Sequence, residues 1–392
     1  MLASFISWTW LPFLRLLWVG ARSSHTIMEF IFSELPEILF IVYLSLNVRR
    51  FCRGALACKK LWWIYGSLLL MGSIKAYWAT PHIFSILYGI KITYLALLIL
   101  LLNIPKEEKD KFLDIWNKYV VLYSGLSIIF HVFFFDFEQY LVHLSGHPMS
   151  AYFIARTGGF LLTPVPFAIM ISFSSFYYMS LILQCNKKVY YLYLFILFIA
   201  LWYSVTRIGI LGCLIVFLYG MFKTKMYLRV ITILLVYYVS MIIVFKTIVP
   251  FWWVIQSTAN TVYLQNNVTR VELWKKTEQA FMKKPWLGYG IGHAGAGAIK
   301  YSKNNPDKAA VSSTDGWYLK ILSEVGIIGF FLLLVFLYYA IDWSVIYSTK
   351  NNFVAFILLF TLISAVFNNI LDFFPLNVFI YLIGKTTKYS EC

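Results

Sequence analysis

A few positions in this chain combine reactive side chains with neighbours that could build a site around them. Arg207 stands in Ser204-Val205-Thr206-Arg207-Ile208-Gly209-Ile210-Leu211-Gly212, at the turn between two apolar runs. An arginine at membrane depth is expensive and usually faces a polar cavity or a partner; a snorkelling interfacial anchor is the plain alternative. Arg270 lies in Thr269-Arg270-Val271-Glu272. Thr269 and Glu272 have the spacing of a capping box, which predicts a helix over 267–284 with Arg270 in its first turn. One cation there opposes the helix dipole, but two arginines near a helix N-terminus make a strong anion site. Asp315 follows Ser312-Ser313-Thr314 at the start of another apolar run. It suits a helix N-cap, and it could also orient or deprotonate a substrate hydroxyl.

Two further clusters are weaker. Gly288-Tyr289-Gly290-Ile291-Gly292-His293 follows Pro285-Trp286-Leu287, with no buried strand before it, so it is not a dinucleotide fingerprint. A tight turn that brings Gly290 close to a ligand, or returns the chain to the membrane, fits better. His293 reads first as a loop histidine and second as a base. Arg156 opens Arg156-Thr157-Gly158-Gly159-Phe160, with Pro164 and Pro166 just beyond, and a boundary arginine is its plain alternative. No His, Cys or Asp cluster has metal-ligand spacing and there is no phosphate-binding Walker loop, so neither a metal nor a cofactor is expected.

The elements that must carry these residues are membrane helices. The chain is 61% hydrophobic and 13% charged, far below the roughly one-quarter charged content of a soluble domain. Apolar runs of about 18–22 residues recur from end to end, as helices that cross a hydrocarbon core require. They are expected near 2–20, 28–47, 61–79, 84–102, 113–135, 158–184, 190–205, 208–222, 230–250, 317–341, 353–373 and 375–384. That makes about twelve spans, or eleven if the first lies in the interface because of Pro12 and Arg15. Glu34, Glu37, Lys75, Lys91, Lys246 and Lys320 lie within or near spans, and Glu34 and Glu37, which share one helix face, should take part in an internal salt bridge.

The formal charge of +16 is dealt out among connectors instead of forming one nucleic-acid-binding patch. Arg49-Arg50-Phe51-Cys52-Arg53 followed by Lys59-Lys60 marks the cytoplasmic side. Counting from there, the C-terminus is cytoplasmic and the long polar interruption faces outward. The chain therefore divides into N-terminal membrane helices (1–250), a large outer loop with an amphipathic helix (251–315), and C-terminal membrane helices with a short tail (316–392). In the loop helix, Val271, Trp274 and Phe281 share one face, away from Lys275, Lys276, Gln279 and Lys283. Pro285 should end it. All five cysteines lie outside the loop, which argues against disulfides.

Taken together, the Ser-x-Thr-Arg-x-Gly-x-Leu-Gly hairpin, the Arg-x-Glu-Leu-Trp helix, the Pro-Trp-Leu-Gly-x-Gly-x-Gly turn and Tyr318-Leu319 with Glu324, Gly326 and Gly329 resemble the O-antigen polymerase and ligase superfamily. The resemblance covers about residues 150–384, in matching order. It implies an all-α polytopic fold of the GT-C type in a bacterial inner membrane, with the large loop periplasmic. It also implies metal-independent, inverting glycosyl transfer from a glycan on undecaprenyl diphosphate, with membrane lipids around it and a chain-length regulator protein as a candidate partner. The family's diphosphate-binding arginines carry over to Arg207 and Arg270, and Arg156 matches an earlier outer element. Ligases carry a His-Asn pair where this chain has Asp315-Gly316, which favours a polymerase. A ligase is the nearest alternative. A transporter of lipid-linked sugars, which would tend to show repeated halves, is the alternative of another class.

Overall fold

The computed structural model describes residues 1–19, 27–47, 59–79, 83–102, 104–144, 157–247, 262–294, 316–341, 343, 352–373 and 376–384. Every regular element among them is helical. A helix occurs at each of the expected apolar runs, because long stretches without water-exposed breakers can satisfy every backbone group only within the helix itself. Among the described residues, five helices are long and apolar enough to cross a membrane: Ile83–Leu101, Pro164–Cys185, Arg207–Thr224, Tyr227–Phe245 and Trp317–Ala340. The Lys188–Ser204 helix has 17 residues and the Leu376–Gly384 helix nine. At 1.5 Å per residue the latter reaches roughly 14 Å, about half of a hydrocarbon core.

The chain forms two compact units, each assembled from separate stretches of sequence. The first contains residues 1–45, 107–263 and 345–360. Its central element is the Pro164–Cys185 helix, buried along most of its length, flanked by the Lys188–Ser204 and Arg207–Thr224 helices. The Leu2–Val19 helix packs into this unit: Ser4 Oγ donates to Pro36 O at 2.7 Å, Tyr123 Oη donates to Thr9 O at 3.1 Å, and Thr9 also meets the Tyr119 hydroxyl. Leu211, Leu218, Phe222, Ile231 and Leu235 are exposed on the Arg207–Thr224 and Tyr227–Thr247 helices. A surface that apolar suits contact with lipid tails.

The second unit contains residues 46–106, 264–344 and 361–392. Two of its helices are irregular. The stretch from Ile83 to Leu101 passes from α-helix to a π-turn at Ile90–Tyr94 and on to 3-10 geometry from Leu95. The Trp317–Ala340 helix breaks at Gly326, where φ is 66° and ψ −172°. That combination is essentially reserved for glycine. The break divides the helix into a short first half that follows Asp315 in sequence and a longer second half.

The helix expected over 267–284 runs from Val262 to Lys283. Thr269 is therefore inside it, and the capping box is not its start. Residues 262–268 contain neither Gly nor Pro, so nothing stops the helix from extending back past the capping pattern. Its C-terminal end agrees with the expectation, one residue short of Lys284 and Pro285. The expected faces also hold among the described side chains. Trp274 and Phe281 are half-buried and Thr277 is buried, while Lys275, Lys276, Gln279 and Lys283 are exposed.

Candidate functional site

In the first unit the hairpin turn is closed by its own side chains. Ser204 Oγ donates to Leu201 O at 2.6 Å, and Thr206 Oγ1 to Ser204 O at 3.1 Å. Val205 takes a left-handed conformation, φ 47°, which reverses the chain within two residues. Thr206, with extended φ and ψ, precedes the next helix, and Arg207 is its first residue, exposed to the surroundings. The first N–H groups of any helix lack intrahelical partners, so an anion at this end would meet amide donors as well as the guanidinium. Gly212, one turn further, has a packing role. A Cβ there would stand 2.2 Å from the Phe360 ring, so the glycine lets two helices of this unit close on each other.

The stretch after Arg156 is tied to the same turn. Thr157 N donates to Tyr203 O at 3.0 Å, immediately before Ser204. Thr157 Oγ1 donates to Glu138 Oε1 at 2.7 Å and accepts from Gly159 N at 3.0 Å. Glu138 Oε2 lies 2.6 Å from His131 Nδ1, and all three side chains are buried. Phe160 then anchors the segment, stacked on Trp10 at 4.3 Å and edge-on to Phe13 at 5.1 Å. Thus the Arg-x-Gly-x-Phe element and the Arg207 hairpin share one backbone hydrogen bond, although Arg156 itself lies outside the described residues. His131 and Glu138 carried no visible signal in the sequence: one sat inside an expected span and the other in a connector.

In the second unit the glycine turn and the broken helix complete each other. At the break, Ile327 N donates to Pro285 O at 2.8 Å and Ile328 N to Trp286 O at 3.2 Å. In return, Tyr289 N donates to Ser323 O at 3.0 Å and Gly290 N to Glu324 O at 2.6 Å. The Glu324 side chain, wholly buried, accepts from Gly292 N at 3.1 Å and Ala294 N at 3.3 Å through Oε1. A Cβ on Gly288 would stand 2.4 Å from Glu324 O, and one on Gly326 would stand 2.4 Å from Trp286 O. The motif glycines are therefore explained by backbone approaching backbone. Gly290 is buried against Ala76, where a Cβ would stand 2.2 Å away, so its close approach is to protein.

His293, held between the two amides gripped by Glu324, is half-buried and stacks on Tyr289 at 4.5 Å with rings almost parallel. Burial, with a smaller push from Lys284, lowers its pKa to about 4. At neutral pH the imidazole is uncharged: it can accept a proton but is a weak base.

Lys320 sits in the first half of the broken helix, four residues before Glu324. It is buried, and its Nζ contacts Asp372 Oδ2 at 2.6 Å and Thr93 Oγ1 at 2.8 Å, while Thr93 Oγ1 donates to Asp372 Oδ1 at 2.9 Å. The partner of Lys320 is thus Asp372, the single acidic residue of the 353–373 apolar run.

Arg270 is the ninth residue of the Val262–Lys283 helix, counting from Val262, and not in its first turn. This removes the dipole and capping argument made for it. The Arg270 side chain lies outside the described residues; further along the same helix Leu273, Trp274 and Thr277 share one face. That face meets the start of the broken helix: Trp274 Nε1 lies 3.7 Å from the position a Cβ would take on Gly316. Asp315 lies outside the described residues, but the residue after it is beside the helix that carries Arg270. Among the described residues no group of three or more His, Cys, Asp or Glu could hold a metal.

Residues 192–334 match the family model described as O-antigen ligase. The matched stretch includes the Arg207 hairpin, the Arg270 helix, the glycine turn and Glu324. Comparison with the curated proteins and with the solved structures finds no match.

Proposed function

We propose, for a chain that belongs to the O-antigen polymerase and ligase superfamily, that it polymerises lipid-linked oligosaccharide repeats into a surface polysaccharide. In this reading it is an inner-membrane protein of about twelve spans and GT-C-like architecture, with the 251–315 loop periplasmic and the C-terminus cytoplasmic. The donor is a glycan on undecaprenyl diphosphate and the acceptor is the terminal sugar of another lipid-linked repeat. The acceptor hydroxyl attacks the anomeric carbon, the bond to the diphosphate oxygen breaks, and the diphosphate departs with the bonding electrons. The hydroxyl proton passes to a base.

Arg207 and Arg270 bind the diphosphate, whose growing charge guanidinium groups stabilise without a metal. Asp315 accepts the proton or orients the hydroxyl, and His293 is the reserve candidate. Arg156 supports as a further cation, and Gly290 shapes the turn that holds His293. The observation that supports this reading is that Trp274, on the helix that includes Arg270, has its Nε1 3.7 Å from where a Cβ would stand on Gly316, the residue after Asp315.

The description of the matched family favours a second reading, transfer of finished polymer to lipid A-core. Deleting the chromosomal copy separates the two. A polymerase deletion leaves attached glycans one repeat long, whereas a ligase deletion leaves full-length polymer on its lipid carrier and none on the core. Normal chain length and attachment would sink both.

A further inference from the structure

The glycine turn and the broken helix contain a buried carboxylate that the proposed chemistry does not use. Glu324 has no exposure, lies in a helix apolar enough to span a membrane, and uses only one oxygen for the two amides it accepts. Glu324 Oε2 is buried with no hydrogen-bond partner among the described residues. Carboxylates at such depth are costly and tend to be functional, and a buried acceptor left unpaired adds to the cost. Simple helix stability does not account for it. A helix broken at glycine gains from having its freed amides answered, and the Pro285 and Trp286 carbonyls already do that. The Glu324 side chain answers the loop.

The two amides it holds belong to Gly292 and Ala294, alternate donors converging on one oxygen in the manner of a small backbone anion nest. His293 lies between them. The grip is reinforced on its other side, where Ser85 Oγ donates to Gly292 O at 2.8 Å, and one residue earlier, where Ile291 N donates to Gly72 O at 3.1 Å. Glu324 and Lys320 are four residues apart and so lie on one face of the first half-helix. Lys320 fastens that half-helix to Asp372 and Glu324 fastens the loop to it.

We propose that Glu324 is a positioning residue for glycosyl transfer: by holding the amides on both sides of His293, it locks the 288–294 turn onto the half-helix that begins beside Asp315. The inference deepens the polymerase or ligase reading and rests on it. The carboxylate sets the geometry of the turn and of the half-helix; it touches no substrate.

The test uses the full-length protein in lipid nanodiscs with a lipid-linked oligosaccharide donor, and follows both turnover and the titration of His293 by NMR of histidine-labelled protein. A His293→Gln variant assigns the His293 signal among the six histidines. In Glu324→Ala the turn is released. His293 then titrates near 6.5 instead of about 4, and kcat falls about a hundredfold, the usual effect of a displacement near 1 Å, with the donor KM within about twofold. Glu324→Gln keeps an oxygen acceptor for both amides, so its His293 titration stays low and its kcat stays within about threefold of wild type.

Should Glu324→Ala fail to accumulate, Ala294→Pro removes one of the two donors and leaves the carboxylate in place; it raises the His293 pKa and lowers kcat in the same direction. A Glu324→Ala protein at normal level with unchanged His293 titration overturns the grip, as does an Ala294→Pro protein with unchanged titration. A shifted titration with unchanged kcat, or a loss carried wholly by KM, overturns the positioning role. If the wild-type protein transfers no glycan from the lipid-linked donor, the functional reading fails, while the titration still decides what Glu324 holds.

Discussion

The two regions that carry the candidate residues are built in opposite ways. The Arg207 hairpin is closed mainly by neighbours: Ser204 and Thr206 satisfy carbonyls two or three residues away, with longer links from Thr206 to Pro164 O and from Thr157 N to Tyr203 O, and the charged side chain is left exposed. The joint between the glycine turn and the broken helix is closed from a distance. Glu324 reaches back about thirty residues and Ser85 across more than two hundred, and the charged groups there, Glu324 and Lys320, are buried. One region presents a charge and the other uses charge to hold its shape. The hairpin should thus tolerate substitution in its frame and lose function with its arginine, whereas the joint should lose its geometry or stability when a single partner is removed.

The buried pair offers the largest stability effect. Asp372→Asn leaves the Lys320 ammonium uncompensated in an apolar setting and should cost about 3–5 kcal/mol. The double variant Lys320→Met/Asp372→Leu removes both charges and should recover most of that loss. Thermal unfolding of purified protein followed by size-exclusion chromatography reads both. Equal instability of the single and double variants would mean that the pair is not the fastening that the geometry describes.

Next in size are two glycine substitutions, one in each region. Gly326→Ala places a side chain both in a conformation reserved for glycine and against the Trp286 backbone, at a cost of at least about 3 kcal/mol. Gly212→Ala only crowds the Phe360 ring, which can shift, and should cost about 1–3 kcal/mol. If Gly212→Ala proved the more damaging, the contrast between the two regions would fail.

A further effect is on pH dependence. His293 is neutral in the folded chain down to about pH 4, but in the unfolded chain it takes up a proton near 6.5. Between those values the unfolded state binds more protons, so the His293 contribution is complete above about 6.5 and is lost as the pH falls towards 4. Unfolding temperature should drop over that window, and His293→Gln should flatten the drop. No change in slope would place His293 in solvent.

The same contrast explains what the sequence made legible. Apolar runs of spanning length locate the helices because in lipid the backbone must satisfy itself, so length and composition suffice. The Arg207 turn was equally readable, since the Ser204 and Thr206 hydroxyls each close on a carbonyl two or three residues away. The start of the Val262–Lys283 helix was misplaced because a capping pattern at Thr269 and Glu272 competes with an uninterrupted stretch before it, and no local rule says which prevails. The pairing of Lys320 with Asp372 was not legible, because it depends on the π and 3-10 turns that bring Thr93 to the pair, which periodicity does not reveal. The glycine turn announced a close approach and left open what it approached. It approached the backbone of a broken helix whose own glycine, Gly326, was the complementary signal.

The central claim is that Arg207 and Arg270 are the cations that bind the donor diphosphate. Its most direct test is surface-glycan length in cells whose only copy of the protein carries Arg207→Ala or Arg270→Ala, with membrane levels matched to wild type. The account predicts that either substitution alone abolishes the glycan ladder, consistent with a loss of about 10²–10³-fold for one donor to a developing anion. Full-length chains at normal protein levels from either variant would contradict it.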